Sequence, residues 1–167
     1  MERDRKLLKP GDVYSLDTPK GIAYLQFVEW PAGHIPCFRV LQGVYKHPIT
    51  NERIQKLAYK SHRFITSIPI VSAKKDSTWR RQGGFVLPVK YAKLPPFVND
   101  STDIFGSKYG WAIVRYTNDG RVETHVDKLS EEQKDYPEDG VSAMDLLADR
   151  IASGWRPRDW YEKKRWK

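Results

Sequence analysis

Two short apolar runs near the start of the chain constrain its fold more than any other feature. Residues 12–17 and 21–30 are rich in β-branched and aromatic side chains, and the break between them contains Thr18, Pro19 and Lys20, followed by Gly21 at the start of the second run. Turn-forming residues between two such runs are typical of a hairpin. The sequence therefore predicts an antiparallel sheet that opens with the hairpin at residues 12–30.

Further strands are predicted along the rest of the chain. Apolar runs indicate strands at residues 37–41, at 62–70 and, as a short edge strand interrupted by a proline, at 85–89. The strongest second hairpin pairs residues 111–116 with 121–126 around Asp119-Gly120. Proline, glycine and polar residues predict exposed loops at 30–36, 74–84 and 100–108.

Helices are predicted in fewer places. Thr50 is suited to cap a short helix at residues 51–59. A longer helix is predicted at about 141–153, where Ser142 and Asp145 match a capping box and Gly154 marks the end. Its apolar face contains the residues that recur at helical spacing: Met144, Leu147, Ala148, Ile151 and Trp155.

These elements predict a β-rich α+β protein. We expect a strongly bent antiparallel sheet, or a small barrel, with the C-terminal helix packed on it. A length of 167 residues fits a single domain. Residues 1–9 are expected to be a charged lead-in and residues 158–167 a basic, aromatic tail.

The charge of the chain narrows the class of partner. The formal net charge is +8, with basic residues concentrated in the middle and at the end, and an acidic stretch at 131–139 between them. A basic surface attracts nucleic acid, anionic lipid or an acidic protein. Because the chain carries both basic and acidic clusters, it fits a protein-binding surface at least as well as a surface that binds the phosphate backbone of nucleic acid.

No motif for catalysis or for a cofactor is evident. Cys37 is the only cysteine and lies in an apolar run, and the four histidines are scattered. We therefore expect no enzyme activity, no bound metal and no cofactor. Neither a signal peptide nor an apolar run of membrane-spanning length is visible, so a cytoplasmic protein that does not bind membranes is expected.

Two predicted loops are candidates for binding a protein partner. The loop at 30–36 contains Trp30 and His34, and the loop at 74–84 contains Trp79, Arg80 and Arg81. Tryptophan and arginine often dominate binding energy at interfaces. Because the neighbours of Trp79 are polar, we expect its side chain to be less buried than that of Trp111.

The tail is the candidate for binding nucleic acid. Aromatic side chains interleaved with cations can stack on bases and contact phosphates. The alternative is that the tryptophans pack against the domain while the cations stay solvated. The residues that would bind nucleic acid are Arg158, Trp160, Lys163, Lys164 and Arg165.

The chain resembles bacterial polymorphic-toxin immunity proteins of the immunity protein 26 type and their relatives. The likeness rests on the Lys-Pro-Gly-Asp-Val-Tyr segment at 9–14, on Gly-Ile-Ala-Tyr-Leu-Gln at 21–26 and on segments at 38–41, 64–69, 94–97, 111 and 150–157. It covers roughly residues 9 to 157. The resemblance implies a non-catalytic inhibitor that binds a cognate toxin, as in contact-dependent inhibition, and it implies no fixed catalytic residues.

Two functions of different classes are thus expected. The first is an immunity protein that neutralises a cognate bacterial toxin domain by direct binding. The alternative is a nucleic-acid-binding small β-barrel that uses its basic loops and its basic-aromatic tail. Steep salt dependence of nucleic-acid binding would distinguish the alternative.

Overall fold

Two antiparallel sheets form the framework of the protein. The computed structural model describes residues 8–31, 35–73, 76–102, 108–117 and 119–163, and within these ranges it contains eight strands. The first sheet has the strand order β4-β3-β2-β1-β5, and the second has the order β6-β7-β8. The predicted β-rich α+β class is confirmed, with the strands divided between two sheets.

The strands, in chain order, are β1 Asp12–Thr18, β2 Gly21–Glu29, β3 Cys37–Val40, β4 Phe64–Ser67, β5 Trp79–Gly84, β6 Phe97–Thr102, β7 Lys108–Thr117 and β8 Gly120–Val126. The α-helices described are α1 Asn51–Ala58, α2 Ile70–Ala73, α3 Met144–Ser153 and α4 Pro157–Lys163. Two 3₁₀ turns complete the set, η1 Val89–Tyr91 and η2 Gln133–Asp135.

Both faces of the first sheet are covered. Successive side chains of β2 point to opposite faces, so that Leu25 joins the core under α3 whereas Tyr24 joins a smaller core under α1. Helix α3 contributes Leu147 and Ile151 to the larger core, and both are almost fully buried. The predicted packing of the C-terminal helix on the sheet is confirmed.

The second sheet contacts the first through β3 and β4. Cys37 and Ile65 form one apolar cluster with Phe97 and Val114 of the second sheet. The opposite face of the second sheet is covered by α4, whose Tyr161 is buried. Residues 158–163 of the predicted tail therefore belong to a helix that is docked on the second sheet.

A segment between η2 and α3 connects the edges of the two sheets. Glu138 forms a parallel bridge with Val98 of β6, and Val141 forms one with Ser67 of β4. Ser142 follows, and its hydroxyl lies 2.9 Å from the hydroxyl of Thr66. This segment therefore lies beside strand β4, at one edge of the first sheet.

Local signals predicted several of these elements correctly. The hairpins at residues 12–30 and 108–126 are present, and Thr50 caps α1 by accepting a hydrogen bond from the N–H of Arg53 at 3.3 Å. Gly154, in the left-handed conformation with φ +79°, ends α3 as predicted.

Four local predictions are wrong. Residues 79–84 are strand β5 rather than part of a loop, and residues 85–88 are not a strand. Of the predicted loop at 100–108, residues 100–102 belong to β6 and residue 108 begins β7, while residues 103–107 lie outside the described residues. No capping box starts α3: Ala143 is its N-cap residue, and the Ser142 hydroxyl contacts Thr66 instead.

Candidate functional site

A cavity of about 350 Å³ opens where the first sheet meets the loops that lead to the second. Strands β3 and β4 contribute Arg39 and Ile65, the η1 region contributes Lys90 and Tyr91, and η2 contributes Asp135. This volume is within the range of small-ligand sites in proteins. The cavity is therefore large enough to hold a side chain or a small molecule.

The cavity wall carries an excess of positive charge. Four cationic residues line it, whereas Asp135 is the acidic residue among the lining. Asp135 accepts hydrogen bonds from Nε and Nη2 of Arg158 at 2.8 and 2.7 Å, and this ion pair lowers the pKa of Asp135. Its charge is thus already balanced by a residue that does not line the cavity. The four cationic lining residues are Arg39, Arg63, Lys90 and Lys93.

Arg39 is a completely buried cation in this wall. It lies opposite Gln26 in the β2–β3 register, and its Nε donates to Gln26 Oε1 at 2.9 Å. Its Nη2 donates to the carbonyl oxygen of Ala58 at the end of α1, and its guanidinium carbon lies 4.2 Å from the centre of the Tyr91 ring. Arg39 is therefore held on three sides by the fold.

One nitrogen of Arg39 is left without a hydrogen bond. Nη1 is buried and has no partner within the described ranges. No acidic side chain forms an ion pair with Arg39 in those ranges either. Burial lowers the pKa of Arg39 to about 10, which reflects the cost of a cation in a poorly solvated position.

His62 lies beside Arg39 in the same wall. Its Nδ1 is buried and also lacks a hydrogen-bond partner among the described residues. Its ring packs edge-on against Tyr91, with 5.4 Å between ring centres. Burial, and to a smaller extent the charge of Arg39, lower the pKa of His62 to about 4. The imidazole is therefore neutral near pH 7.

The rim of the cavity is exposed to solvent. Lys90 and Lys93 are both exposed. Val89, which precedes Lys90 in η1, is 90% exposed. The two lysines give this rim a positive charge that a protein partner can use.

The predicted exposure of Trp79 is wrong. Trp79 pairs with Leu16 in the β5–β1 register and is 7% exposed, whereas Trp111 is only partly buried. Its ring stacks on Tyr14, with 4.8 Å between ring centres, and packs edge-on against Phe38. Trp79 therefore contributes to the core rather than to the surface proposed for binding.

Arg80 and Arg81 remain at the surface on β5. Their side chains are about half exposed, at 49% and 52%. Arg80 forms an ion pair with Asp17, and Arg81 donates to Asp12 Oδ1 at 2.8 Å. Charges on an edge strand also discourage pairing with other chains, so these arginines have a structural role as well.

Of the two candidate binding residues in the loop at 30–36, the structure describes Trp30. Trp30 is partly buried and packs edge-on against Phe27, with 6.4 Å between ring centres. His34 lies outside the described residues.

The predicted nucleic-acid residues are only partly described. Arg158 binds Asp135, and Trp160 packs against Trp111 with 5.7 Å between ring centres. Lys163 is the last residue of α4, but its side chain is not among the described parts of the structure. Lys164 and Arg165 lie outside the described residues altogether.

The sequence analysis missed Arg39 and His62. One signal was available: Arg39 stands in the middle of the apolar run Cys37-Phe38-Arg39-Val40-Leu41. Because side chains of a strand alternate between the two faces of the sheet, a charged residue between apolar ones is normally expected to face solvent. In this protein that face is covered by α1 and by the η1 region, so the charge is buried.

Comparison with models of known protein families finds no match, and neither a curated protein nor a solved structure matches the chain significantly. None of the helices in the described ranges has the length and apolar character that crossing a bilayer requires. Among the same residues, no three His, Cys, Asp or Glu side chains are grouped closely enough to hold a metal ion.

Proposed function

We propose that this chain is a non-catalytic immunity protein that neutralises a cognate bacterial toxin domain by binding it directly. The resemblance described above suggests the class of partner. The observation that carries the proposal is the cationic cavity with its exposed rim, because it offers a shaped surface and an unbalanced positive charge. Such a surface suits an acidic region of another protein.

The rim lysines would act mainly on the rate of association. Lys90 and Lys93 lie at the surface, where they attract a negatively charged partner over several ångströms before contact. Val89 and the cavity would then supply the contacts that slow dissociation. The proposal therefore expects binding that weakens, but does not disappear, as salt is added.

A binding role also fits the state of the cysteine. Cys37 is fully buried between the sheets, and burial raises the pKa of its thiol to about 12. A thiol in that state is a poor nucleophile near neutral pH. This supports a protein that acts by contact rather than by chemistry at Cys37.

The nucleic-acid alternative has weaker support. Binding of single strands usually requires aromatic rings on which bases can stack. The Tyr91 ring already contacts Arg39, and its centre lies 4.7 Å from Lys90 Nζ, while Trp160 packs against Trp111. Arg158 is paired with Asp135. The described candidates for this role are thus engaged within the protein.

The proposal can be tested by co-expression with the protein that is encoded next to this chain. We expect the pair to co-purify, and we expect this chain to restore growth of cells that express its neighbour. The variant Arg80→Gln with Arg81→Gln tests whether the β5 surface contributes. If no neighbouring protein binds but single-stranded nucleic acid does, with steep salt dependence, the proposal is wrong and the alternative replaces it.

A further inference from the structure

We propose that the exposed edge of strand β8 binds the same edge of a second copy of this chain. The two β8 strands would run antiparallel about a twofold axis, so that Arg121 of each copy lies opposite Glu123 of the other. The second sheet would then continue from one copy into the next, in the order β6-β7-β8-β8-β7-β6. Neither residue lines the cationic cavity, and the inference does not rest on the proposed function.

The first argument is that β8 lies at an uncovered edge. The two described sheets have four edges, and the connecting segment between η2 and α3 covers two of them. At β6, the N–H of Val98 donates to the carbonyl oxygen of Pro137, and its carbonyl accepts from the N–H of Asp139, both at 2.8 Å. At β4, the N–H of Ser142 donates to the carbonyl oxygen of Ser67 at 3.1 Å. The remaining edges of these sheets are β5 and β8.

Strand β5 is protected against further pairing in ways that β8 is not. Arg80 and Arg81 place two like charges on β5, and its register with β1 shifts between Val13 and Tyr14. Charges and bulges keep edge strands from pairing with other chains. The pairing of β8 with β7 is continuous from residue 126 to residue 120, and β8 contains neither lysine nor proline. Strand β8 is therefore the edge that can accept another strand.

The second argument is the direction of the backbone groups of β8. Ile113 of β7 lies opposite Val98 on one side and opposite Thr124 on the other. Because the backbone groups of Val98 point away from β7, those of Ile113 point towards β8 and bond to Thr124. Alternate residues point the other way, so the N–H and C=O groups of Arg121 and Glu123 face outwards. In the described ranges, no backbone group of another element bonds to them.

Both faces of β8 are accessible at this edge. Residues 121–125 are all exposed, and Val122, whose side chain points to the face opposite that of Arg121 and Glu123, is 50% exposed. The side chains of Arg121 and Glu123 are only 30% and 33% exposed, so the exposed part of these residues includes their backbone. An incoming strand can therefore reach the outward N–H and C=O groups.

The third argument is that the charges of β8 complement themselves. Arg121 forms ion pairs with Glu123 and, at 2.8 Å, with Asp139. In an antiparallel pair centred on Val122, each Arg121 also faces the Glu123 of the other copy, so that four charges alternate in sign and the two Val122 side chains meet. Pairs centred on Arg121 or on Glu123 would place like charges opposite each other, which is destabilising. The strand thus favours its own copy in one register.

The dimer should be weak. Pairing along one short edge buries less surface than a standard protein interface does. Each copy also carries a net charge of +8, although about 150 mM salt screens most of the repulsion between distant charges. We therefore expect a dissociation constant of about 100 µM under these conditions.

Two measurements on the native chain test the inference. Sedimentation equilibrium between about 10 µM and 1 mM should show an average mass that rises towards twice that of the monomer. Amide hydrogen exchange, followed by NMR over the same range, should slow about fourfold at Arg121 and Glu123. The amides of Val122 and Thr124 are the internal control, because they bond to β7 and should be protected at every concentration.

Charge reversal tests the register. Glu123→Arg and Arg121→Glu should each weaken self-association at least about tenfold, because like charges then lie opposite each other. An equimolar mixture of the two variants should associate within about threefold of the native affinity, since every arginine again faces a glutamate. Glu52→Arg controls for net charge, because Glu52 is exposed on α1. Arg80→Gln with Arg81→Gln controls for the β5 edge, and both controls should associate as the native chain does.

The other outcomes overturn the inference. A native chain that stays monomeric at about 1 mM, or exchange at Arg121 and Glu123 that does not depend on concentration, would contradict pairing through β8. A mixture of the two charge-reversed variants that stays monomeric would exclude the proposed register. If the native chain is monomeric and the variants at Arg121 and Glu123 fail to bind the neighbouring protein, that protein rather than a second copy occupies the edge.

Discussion

At the scale of single residues, Gly11 shows how closely two segments of the chain approach each other. Its N–H donates to the carbonyl oxygen of Phe27 at 3.0 Å, and its own carbonyl accepts from the N–H of Phe85 at 3.0 Å. Its φ angle is +98°, and a Cβ atom there would lie 2.1 Å from the carbonyl oxygen of Phe85. Both the conformation and the space at this position require glycine.

Replacing Gly11 should therefore be costly. We expect Gly11→Ala to lower the free energy of unfolding by at least about 1 kcal/mol more than Gly154→Ala does. Gly154 is the matched control, since it also has a positive φ, +79°, but nothing lies within 4 Å of a Cβ placed there. Urea unfolding of the two variants measures the difference, and equal losses would contradict the close approach at Gly11.

His62 should make the protein sensitive to acid. The pKa of His62 is about 4 in the folded protein, against about 6.5 for an unfolded chain. Above pH 6.5 both states are neutral at this residue. As the pH falls from 6.5 to 4, the unfolded chain gains a proton that the folded protein excludes, so stability is lost, by about 3 kcal/mol at most.

The variant His62→Gln should lose less stability than the native protein between pH 6.5 and 4. His47→Gln controls for the removal of a histidine at the surface, because His47 is exposed. The measurement is the free energy of unfolding in urea at several pH values. Identical pH profiles for the native protein and His62→Gln would show that His62 is not excluded from protonation by the fold.

At the scale of elements, helix α3 stabilises the protein through one face. Met144, Leu147 and Ile151 are buried in the core under the first sheet, as their spacing predicts. Leu146, on the same helix, is 47% exposed. The burial of three residues at helical spacing ties α3 to the sheet.

We expect Ile151→Ala to lower the free energy of unfolding by about 2–5 kcal/mol, because it removes buried methyl and methylene groups and leaves a cavity. Leu146→Ala, in the same helix, should cost less than about 1 kcal/mol. Thermal unfolding checks both. An unchanged melting temperature for Ile151→Ala would be incompatible with this packing.

The elements that were predicted correctly are those specified by neighbouring residues. The hairpins and the Thr50 cap depend on residues a few positions apart, and so their signals are local. Strand β5 was missed because its partner, β1, lies more than sixty residues earlier, with Leu16 opposite Trp79. A polar stretch that forms a strand only by pairing with a strand distant in the sequence has no local sequence pattern that predicts it.

For the molecule taken as a whole, the basic residues behind the net charge of +8 differ in whether an acidic side chain neutralises them. Three arginines form ion pairs with acidic neighbours: Arg80, Arg81 and Arg158. Among the described residues, the acidic side chain in the cationic wall at Arg39, Lys90 and Lys93 is Asp135, and Asp135 is already paired with Arg158. The sequence could predict a basic surface but not this location, because the pairing of charges depends on tertiary contacts.

We propose that this protein binds a toxin through the cationic cavity and its rim. The most direct measurement is the dissociation constant for the neighbouring protein, determined for the native chain, for Lys90→Glu with Lys93→Glu, and for the control Lys20→Glu with Lys128→Glu. We predict a loss of at least about tenfold in affinity for the rim variant and a value within about twofold of native for the control. Native affinity in a folded rim variant would contradict the claim.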